Sequence, residues 1–433
     1  ILKTLEAAGY GAWCVGGCVR DALLDRMPGD WDVTTSARPE ETMALFAGRA
    51  VPTGLRHGTV TVKTEQGGVE ITTLRRDGAY RDHRRPETVT FTDSLEEDLR
   101  RRDFTINAMA YNGKDGLVDA FDGEGDLQKG IIRCVGVAEE RFSEDALRML
   151  RAVRFAGQLG FSIEEETRQA IHKLAPNIAQ VSAERIQIEL VKLMTAKHPE
   201  EIMTAYETGL TKVFLPEFDV MMETGQNNPH HCYSVGMHTV EALKQIEPDK
   251  VERLAILLHD IAKPACKTTD ENGIDHFYGH PEKGSEMARK VLRRLKFDNS
   301  TTGRVCRLIA CHDDNPPLTE RAVRKAVYRN GEEQYPALFA VKRADVSAQS
   351  NYHREEKFEY LKEYENIYRQ IMEKKQCLSI RQLAVTGTDL IAAGMKPGKE
   401  IGEVLKQLLD YVLENPEANT KEQLLEQVQK TMA

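Results

Sequence analysis

Aromatic side chains are scarce, at 6% of 433 residues with only two tryptophans. Such a chain must fill its core mainly with aliphatic groups, which fits a helix-rich protein. No apolar run approaches the roughly 20 residues that a membrane helix needs. The longest, Leu254-Ala255-Ile256-Leu257-Leu258, stops at a His-Asp pair. The charged, apolar and small-residue succession of a secretory signal is not found, and the chain opens on Ile1 rather than Met, so earlier residues are expected. Eight cysteines are scattered from Cys14 to Cys377. That is not the dense framework of a small secreted domain, and a reducing cytoplasm is the expected setting. Cys14 and Cys18 have no second pair nearby, which excludes the usual zinc spacing.

What is present is an ordinary globular composition, 41% hydrophobic and 29% charged. A disordered tail and a collagen-like repeat are both excluded. The length suits two to four domains at roughly 100–200 residues each. The net charge of −9 argues against a nucleic-acid partner on the sum alone. The sum hides clusters, however. Arg75, Arg76, Arg81, Arg84 and Arg85 share one segment, and Arg100, Arg101 and Arg102 are consecutive. Local basic patches bind phosphates whatever the distant surface contributes.

The pattern predicts an α+β chain: a mixed-sheet head followed by all-helical regions. β-rich runs at Tyr10–Val15, Trp31–Thr34, Thr59–Lys63, Val69–Leu74 and Thr88–Phe91 are separated by Gly and Pro. From about Glu140 the apolar spacing becomes helical. Four parts are expected: a head (1–139), a helical neck and body (140–227), a His-rich helical region (228–352) and a helical tail (353–433). In the tail, Thr388 is expected to cap the helix that follows Gly387.

Two sets of residues carry chemistry. Val15-Gly16-Gly17-Cys18-Val19-Arg20-Asp21 places a Gly-Gly turn between a strand and a helix. There the backbone can approach a phosphate, with Arg20 one turn on as its counter-charge. Asp30-Trp31-Asp32 then sets two carboxylates on one face of an expected strand, where they repel unless a cation binds. In the second set, His238, His259, Asp260, His280, His312 and Asp345 are spread over separate helices of one expected bundle. Imidazole and carboxylate together suit Mn²⁺, Fe, Ni²⁺ or Zn²⁺, and two ions could share an aspartate. A lone buried histidine is usually a satisfied core residue; six such positions in order are not explained that way.

The first set resembles the polymerase-β-like nucleotidyltransferase superfamily, and within it the class II CCA-adding tRNA nucleotidyltransferases and bacterial poly(A) polymerases. Arg101-Arg102-Asp103-Phe104-Thr105-Ile106-Asn107-Ala108, the block Glu144–Phe155, and Ser182-Ala183-Glu184-Arg185-Ile186-Gln187-Ile188-Glu189-Leu190 are similar to further motifs of that family, in its order. The resemblance implies that Gly17, Arg20 and Arg102 hold a nucleoside triphosphate and that Asp30 and Asp32 carry Mg²⁺ and the chemistry. It implies that Asp145 and Arg148 read the base, followed by Arg151 and, as its row drifts round the helix, Arg154. An Asp accepts from the amino group of cytosine or adenine while an Arg donates to the ring nitrogen; guanine and uracil leave both unpaired. Asp145 and Arg148 are read as i, i+3 neighbours on one helix. Glu70 sits where a third carboxylate could lie, and a structural strand-end Glu is an equal alternative.

Thr53–Val62, and Arg76–Pro86 read as a mobile phosphate-handling loop, are similar to the CCA-adding form. The partners implied are the tRNA 3′ end, CTP and ATP, with no membrane. Alternatives are a poly(A) polymerase, an A-adding enzyme, or a phosphohydrolase whose head only binds nucleotide. The His/Asp set resembles the HD phosphohydrolases, which implies a transition metal and hydrolysis of a phosphoester. His230 and His231 are read as structural or supporting.

Overall fold

The computed structural model describes residues 1–78 and 88–432. They form two compact units, Ile1–Asp219 with Arg294–Lys296, and Val220–Arg293 with Phe297–Ala433. The first is a mixed sheet with helices; the second is almost wholly helical.

In chain order the strands of the first unit's amino-terminal part are β1 (Ala12–Val15), β2 (Asp32–Thr35), β3 (Ala50–Gly54), β4 (Thr59–Thr64), β5 (Gly67–Thr73), β6 (Arg75–Asp77), β7 (Val89–Phe91), β8 (Met109–Asn112) and β9 (Gly116–Asp119). Seven of them form one sheet in the order β3-β4-β5-β2-β1-β8-β9. Strands β6 and β7 pair separately. Every neighbour in the large sheet is antiparallel except β2 and β5, whose parallel register puts Asp32 opposite Glu70. Side chains alternate along a strand. Val33 and Ile71 therefore enter a core with Leu5, Ala12, Phe46 and Val62, while Asp32, Thr34 and Glu70 point to the opposite side. There Thr34 Oγ1 lies 3.4 Å from Asp98 Oδ2. Complete burial of Leu5, Phe46 and Ile71 contributes about 2 kcal/mol each.

Three readings change here. Asp30 is not in a strand with Asp32; β2 begins at Asp32, and Asp30 lies in the bend before it. Strands β3, β6, β8 and β9 were not visible as β-rich runs, because Pro52 and Gly54 break up β3, β6 overlaps the segment read as a loop, and β8–β9 follow a motif read for its chemistry. Most of the segment read as a mobile loop, its residues 79–86, lies outside the described residues.

The remainder of this unit is helical. Leu147–Leu159 packs on Ala183–Met194, burying Leu150, Val153, Leu190 and Leu193. The preceding helix, Ala138–Glu144, ends at Asp145, whose backbone is extended (φ −142°, ψ 102°).

In the second unit Val235–Leu243, Lys250–Leu258, Asn299–Cys311 and Tyr335–Ser347 form a bundle. Ser234, Asp249 and Asp298 accept first-turn N–H groups at three of the starts, each cap worth about 1 kcal/mol. In the tail, Thr386 rather than Thr388 caps Gly387–Ala392, with Asp389 returning the bond in a capping box. Among the described residues no helix is long and apolar enough to cross a membrane.

Candidate functional site

The first site gathers around the turn after β1. Gly16 has φ +80°, and a Cβ there would stand 2.9 Å from Arg102 Nη1. Only glycine meets both demands. The next helix, Gly17–Leu23, carries Arg20. Arg20 is buried; its Nη1 donates to Asn107 Oδ1 (2.7 Å) and its Nε to Asp21 Oδ1 (2.8 Å). The guanidinium also lies 5.1 Å from the Phe155 ring centre. Asn107 in turn donates to Asp103 Oδ1 (3.1 Å), and Arg151 Nε donates to Asp103 Oδ2 (2.8 Å). Burial alone would push the Asp103 carboxyl up, but Arg151 and Arg148 hold it well below the usual carboxylate range. Three motifs distant in sequence thus meet in one hydrogen-bonded row, Arg20–Asn107–Asp103–Arg151.

The carboxylates lie on the adjoining strands. Asp32 is pushed above its ordinary pKa by burial, then by Asp30 and Glu70, with Arg102 offsetting part of the effect. Asp30 and Glu70 therefore both bear on Asp32 electrostatically, although they come from a bend and from β5. Carboxylates that bear on one another in this way are the hard oxygen donors a divalent cation takes, although among the described residues their oxygens do not converge as closely as the ligand atoms of the second site. Arg102 favours the Asp32 anion electrostatically and itself pairs with Asp98, Nη2 3.5 Å from Oδ2.

The residues read as base-recognising are arranged differently from the sequence reading. Asp145 and Arg148 are not i, i+3 on one helix: Asp145 precedes Leu147–Leu159, and Arg148 is in its first turn. Asp145 instead accepts a two-pronged contact from Arg185 (Nη2–Oδ2 2.7 Å, Nη1–Oδ1 3.2 Å) and caps the N–H of Leu147. Arg148 donates to Glu144 Oε2 (2.6 Å) and to the Arg101 carbonyl (2.9 Å). The arginine row then turns away. Arg154 is buried in an ion pair with Glu189 (2.9 Å), and burial pulls its pKa down to about 10. Arg185 is the residue that spacing did not single out; its signal lay in the Ser182–Leu190 motif, where it had no assigned part.

The second site is in the helical unit. His259 and His312 stand at helix carboxyl ends, His280 begins a helix, and His238 and Asp345 lie within helices. His238, His259, Asp260, His280 and His312 are all buried. Each imidazole gives its Nδ1 proton to a main-chain carbonyl: Ala348, Ile256, Phe277 and Ile309 respectively. A carbonyl only accepts, so each neutral ring keeps its lone pair on Nε2. These Nε2 atoms converge, 3.4 Å apart for His238 and His259 and 3.3 Å for His280 and His312. Asp260 lies between them, with Oδ2 3.2 Å from His259 and Oδ1 3.5 Å from His280.

Both Asp260 oxygens are buried without an accepted hydrogen bond, although Lys263 Nζ makes an ion pair at 2.8 Å. Asp345 Oδ1 is 2.9 Å from His238 Nε2. The ligand atoms form two triads, His238–His259–Asp260 and Asp260–His280–His312, which share the aspartate. Burial and the neighbouring His259 bring His312 down to about 3, so it stays an unprotonated donor at neutral pH. Facing lone pairs around an unsatisfied buried carboxylate form a donor set for one or two cations. His231 packs edge-on to His238, ring centres 5.6 Å apart.

Three family profiles match the chain: the Poly A polymerase head domain over residues 12–133, an RNA- and SrmB-binding site of polymerase A over 160–222, and tRNA nucleotidyltransferase domain 2 over 274–428. The CCA-adding enzyme of Lactiplantibacillus plantarum is 51% identical over 216 residues, half of this chain and 53% of that one. The CCA-adding enzyme of Lactobacillus delbrueckii subsp. bulgaricus is 35% identical over 430 residues, covering 98% of this chain and 95% of that one. The chain belongs to the CCA-adding enzymes. The crystal structure of the Bacillus stearothermophilus CCA-adding enzyme with CTP matches with a TM-score of 0.74 at 29% identity, over 100% of this chain and 96% of that one.

Within this CCA-adding family member the matches divide the candidate residues unevenly. The head profile contains Gly17, Arg20, Asp30, Asp32, Glu70 and Arg102. Asp145, Arg148, Arg151 and Arg154 fall between two profiles. The third profile contains His280, His312 and Asp345 but begins after Asp260.

Proposed function

We propose that this CCA-adding enzyme extends the 3′ end of tRNA by C, C and A from CTP and ATP, without a nucleic-acid template and with release of pyrophosphate. Membership of the family supports the reaction, and one observation carries the assignment of its centre. Glu70 lies opposite Asp32 in the parallel pairing, and burial with the charges of Asp30 and Glu70 disfavours the Asp32 anion, which Arg102 beside the Gly16 turn offsets only in part. In the reaction the tRNA 3′-hydroxyl oxygen bonds to the α-phosphorus, the bond to pyrophosphate breaks with the electron pair leaving on pyrophosphate, and the hydroxyl proton passes to water. Asp30 and Asp32, with Glu70 beside them, would hold Mg²⁺, which supplies charge neutralisation on the phosphates and a more acidic hydroxyl. Arg20 and Arg102 bind the triphosphate, with Arg20 oriented by Asn107. Asp145, steadied by Arg185, and Arg148 select the base by accepting from its amino group and donating to its ring nitrogen. The working division is a head (1–139), neck and body (140–227), His-rich region (228–352) and tRNA-contacting tail (353–433) of a cytoplasmic enzyme.

The test uses a tRNA transcript lacking its 3′ end, with Mg²⁺ and CTP and ATP separately and together. Two C from CTP alone, and a stop after C-C-A with both, is the expected result. A long A ladder would mean a poly(A) polymerase, and A added only to tRNA already ending in C-C would mean an A-adding enzyme.

The convergent Nε2 atoms favour a second activity at the His/Asp cluster, hydrolysis of a phosphoester as in HD phosphohydrolases. His238, His259, Asp260, His280, His312 and Asp345 would hold the transition metal, Mn, Ni, Fe or Zn, which supplies a more acidic bound water. Asp30→Ala and Asp32→Ala should abolish nucleotide addition and spare this hydrolysis.

A further inference from the structure

A cavity of about 320 Å³ opens beside the His/Asp cluster, lined at one end by His312 and Asp345 and elsewhere by Lys342, Gln349 and Lys357. A second, of about 310 Å³, shares His312, Asp345 and Gln349 with the first and reaches Asp260 and His280. The cluster therefore borders two cavities.

Lys342 is only 3% exposed, and its Nζ donates to Asn315 Oδ1 at 2.9 Å. Lys357 donates to Gln349 Oε1 and contacts His230 Nδ1 at 3.0 Å. An ammonium has three N–H donors. Among the described residues neither lysine forms an ion pair with a carboxylate, unlike Lys263, which pairs with Asp260. Burying an ammonium is costly, and burial pulls the Lys342 pKa down, with Asp313 and Asp345 offsetting part of the effect. Asp260, Asp275, Asp313, Asp345 and Glu356 line the two cavities together with Lys263, Lys342 and Lys357. Two divalent cations at the cluster would turn this negative balance positive, and an anion would then neutralise it.

We propose that Lys342 and Lys357 form an anion subsite that holds a second phosphate of a nucleotide whose reacting phosphate lies at the His/Asp cluster. The inference rests on the phosphohydrolase reading and names its substrate class: a nucleotide phosphorylated at both ends, as the last residue of an RNA chain is. Hydrolysis breaks the P–O bond to the ribose; water's oxygen bonds to phosphorus, its proton goes to the leaving oxygen, and nothing is oxidised. The second phosphate stays on Lys342 and Lys357 and takes no part in the chemistry.

The test uses the full-length chain dialysed against Mn²⁺, with retained metal measured, and compares adenosine 3′,5′-bisphosphate with adenosine 3′-monophosphate. The bisphosphate should be favoured about tenfold in kcat/KM, mostly through KM. Lys357→Gln and Lys342→Gln should collapse that ratio, and Lys357→Arg should restore it. A second readout is independent of turnover: acetylation of Lys357, quantified by mass spectrometry, should be slowed about fivefold by the bisphosphate and little by the monophosphate, as a tenfold difference in affinity implies. Retained metal and hydrolysis without preference or protection overturn the subsite and leave the metal centre standing. No retained metal and no hydrolysis overturn the metal centre, and the subsite then stands or falls on the protection of Lys357.

Discussion

His238 and His259 bring their Nε2 atoms to 3.4 Å while each gives its Nδ1 proton to a main-chain carbonyl. Neither neutral ring has a proton left to place between them, so their lone pairs face each other. A cation, or one shared proton, removes the conflict. The same holds across Asp260 for His280 and His312.

Metal content follows from that geometry. The two triads share Asp260, so the full chain dialysed against Mn²⁺ should retain about two equivalents. Asp260→Ala should lose both, whereas His238→Ala and His280→Ala should each lose about one. Elemental analysis after gel filtration checks the count, and equal loss in all three variants would contradict the shared-aspartate arrangement.

Asp32 links activity to stability. Its pKa is raised in the folded chain, so above that pKa its charge disfavours folding; the penalty vanishes as pH falls below its unfolded value of about 4. Asp32→Asn should therefore raise Tm by about 2 °C in chelator at pH 8, and by nothing near pH 3. The same change should lower nucleotide addition about 10³-fold or more. Scanning calorimetry at both pH values and single-nucleotide gels are the measurements.

Asp103 has the opposite sign. Its depressed pKa stabilises the fold above the unfolded value and loses that effect as pH falls below about 4. Asp103→Asn strands Arg151 and should cost about 3 kcal/mol at pH 7, shrinking toward pH 3, by urea titration. Because Asn107 joins Asp103 to Arg20, the KM for both nucleotides should also rise.

Arg185 holds Asp145 by both carboxylate oxygens. Arg185→Ala should raise the KM for CTP and ATP about tenfold and admit UTP or GTP more readily. Steady-state incorporation of each nucleotide measures this; unchanged selectivity would mean that Asp145 keeps its aim without Arg185.

Much of this was readable beforehand, and the failures have physical causes. The α+β order, the helix end at His259-Asp260, and five of the strands followed from periodicity and turn residues. Asp145 was misread because helical spacing continues through Glu144–Phe155 while the backbone breaks at one residue. Asp30 was misread because a D-x-D repeat mimics strand alternation even when its first member lies in a bend. The neighbourhood of Glu70 and Asp32 depends on the one parallel pairing in the large sheet, which joins strands 38 residues apart. No local pattern announces such a pairing. Arg154 carries the same charge as Arg148, but only packing against Glu189 shows that it faces inward.

Three of the four imidazoles are oriented by a carbonyl only three residues earlier in their own chain segment: Ile256 for His259, Phe277 for His280, Ile309 for His312. Each ligand thus travels with its own aiming device. A helix could lengthen, shift partners or change most of its surface without altering which nitrogen it offers. Such a centre can survive extensive sequence drift, or lose its chemistry by a single substitution, while the surrounding bundle stays the same.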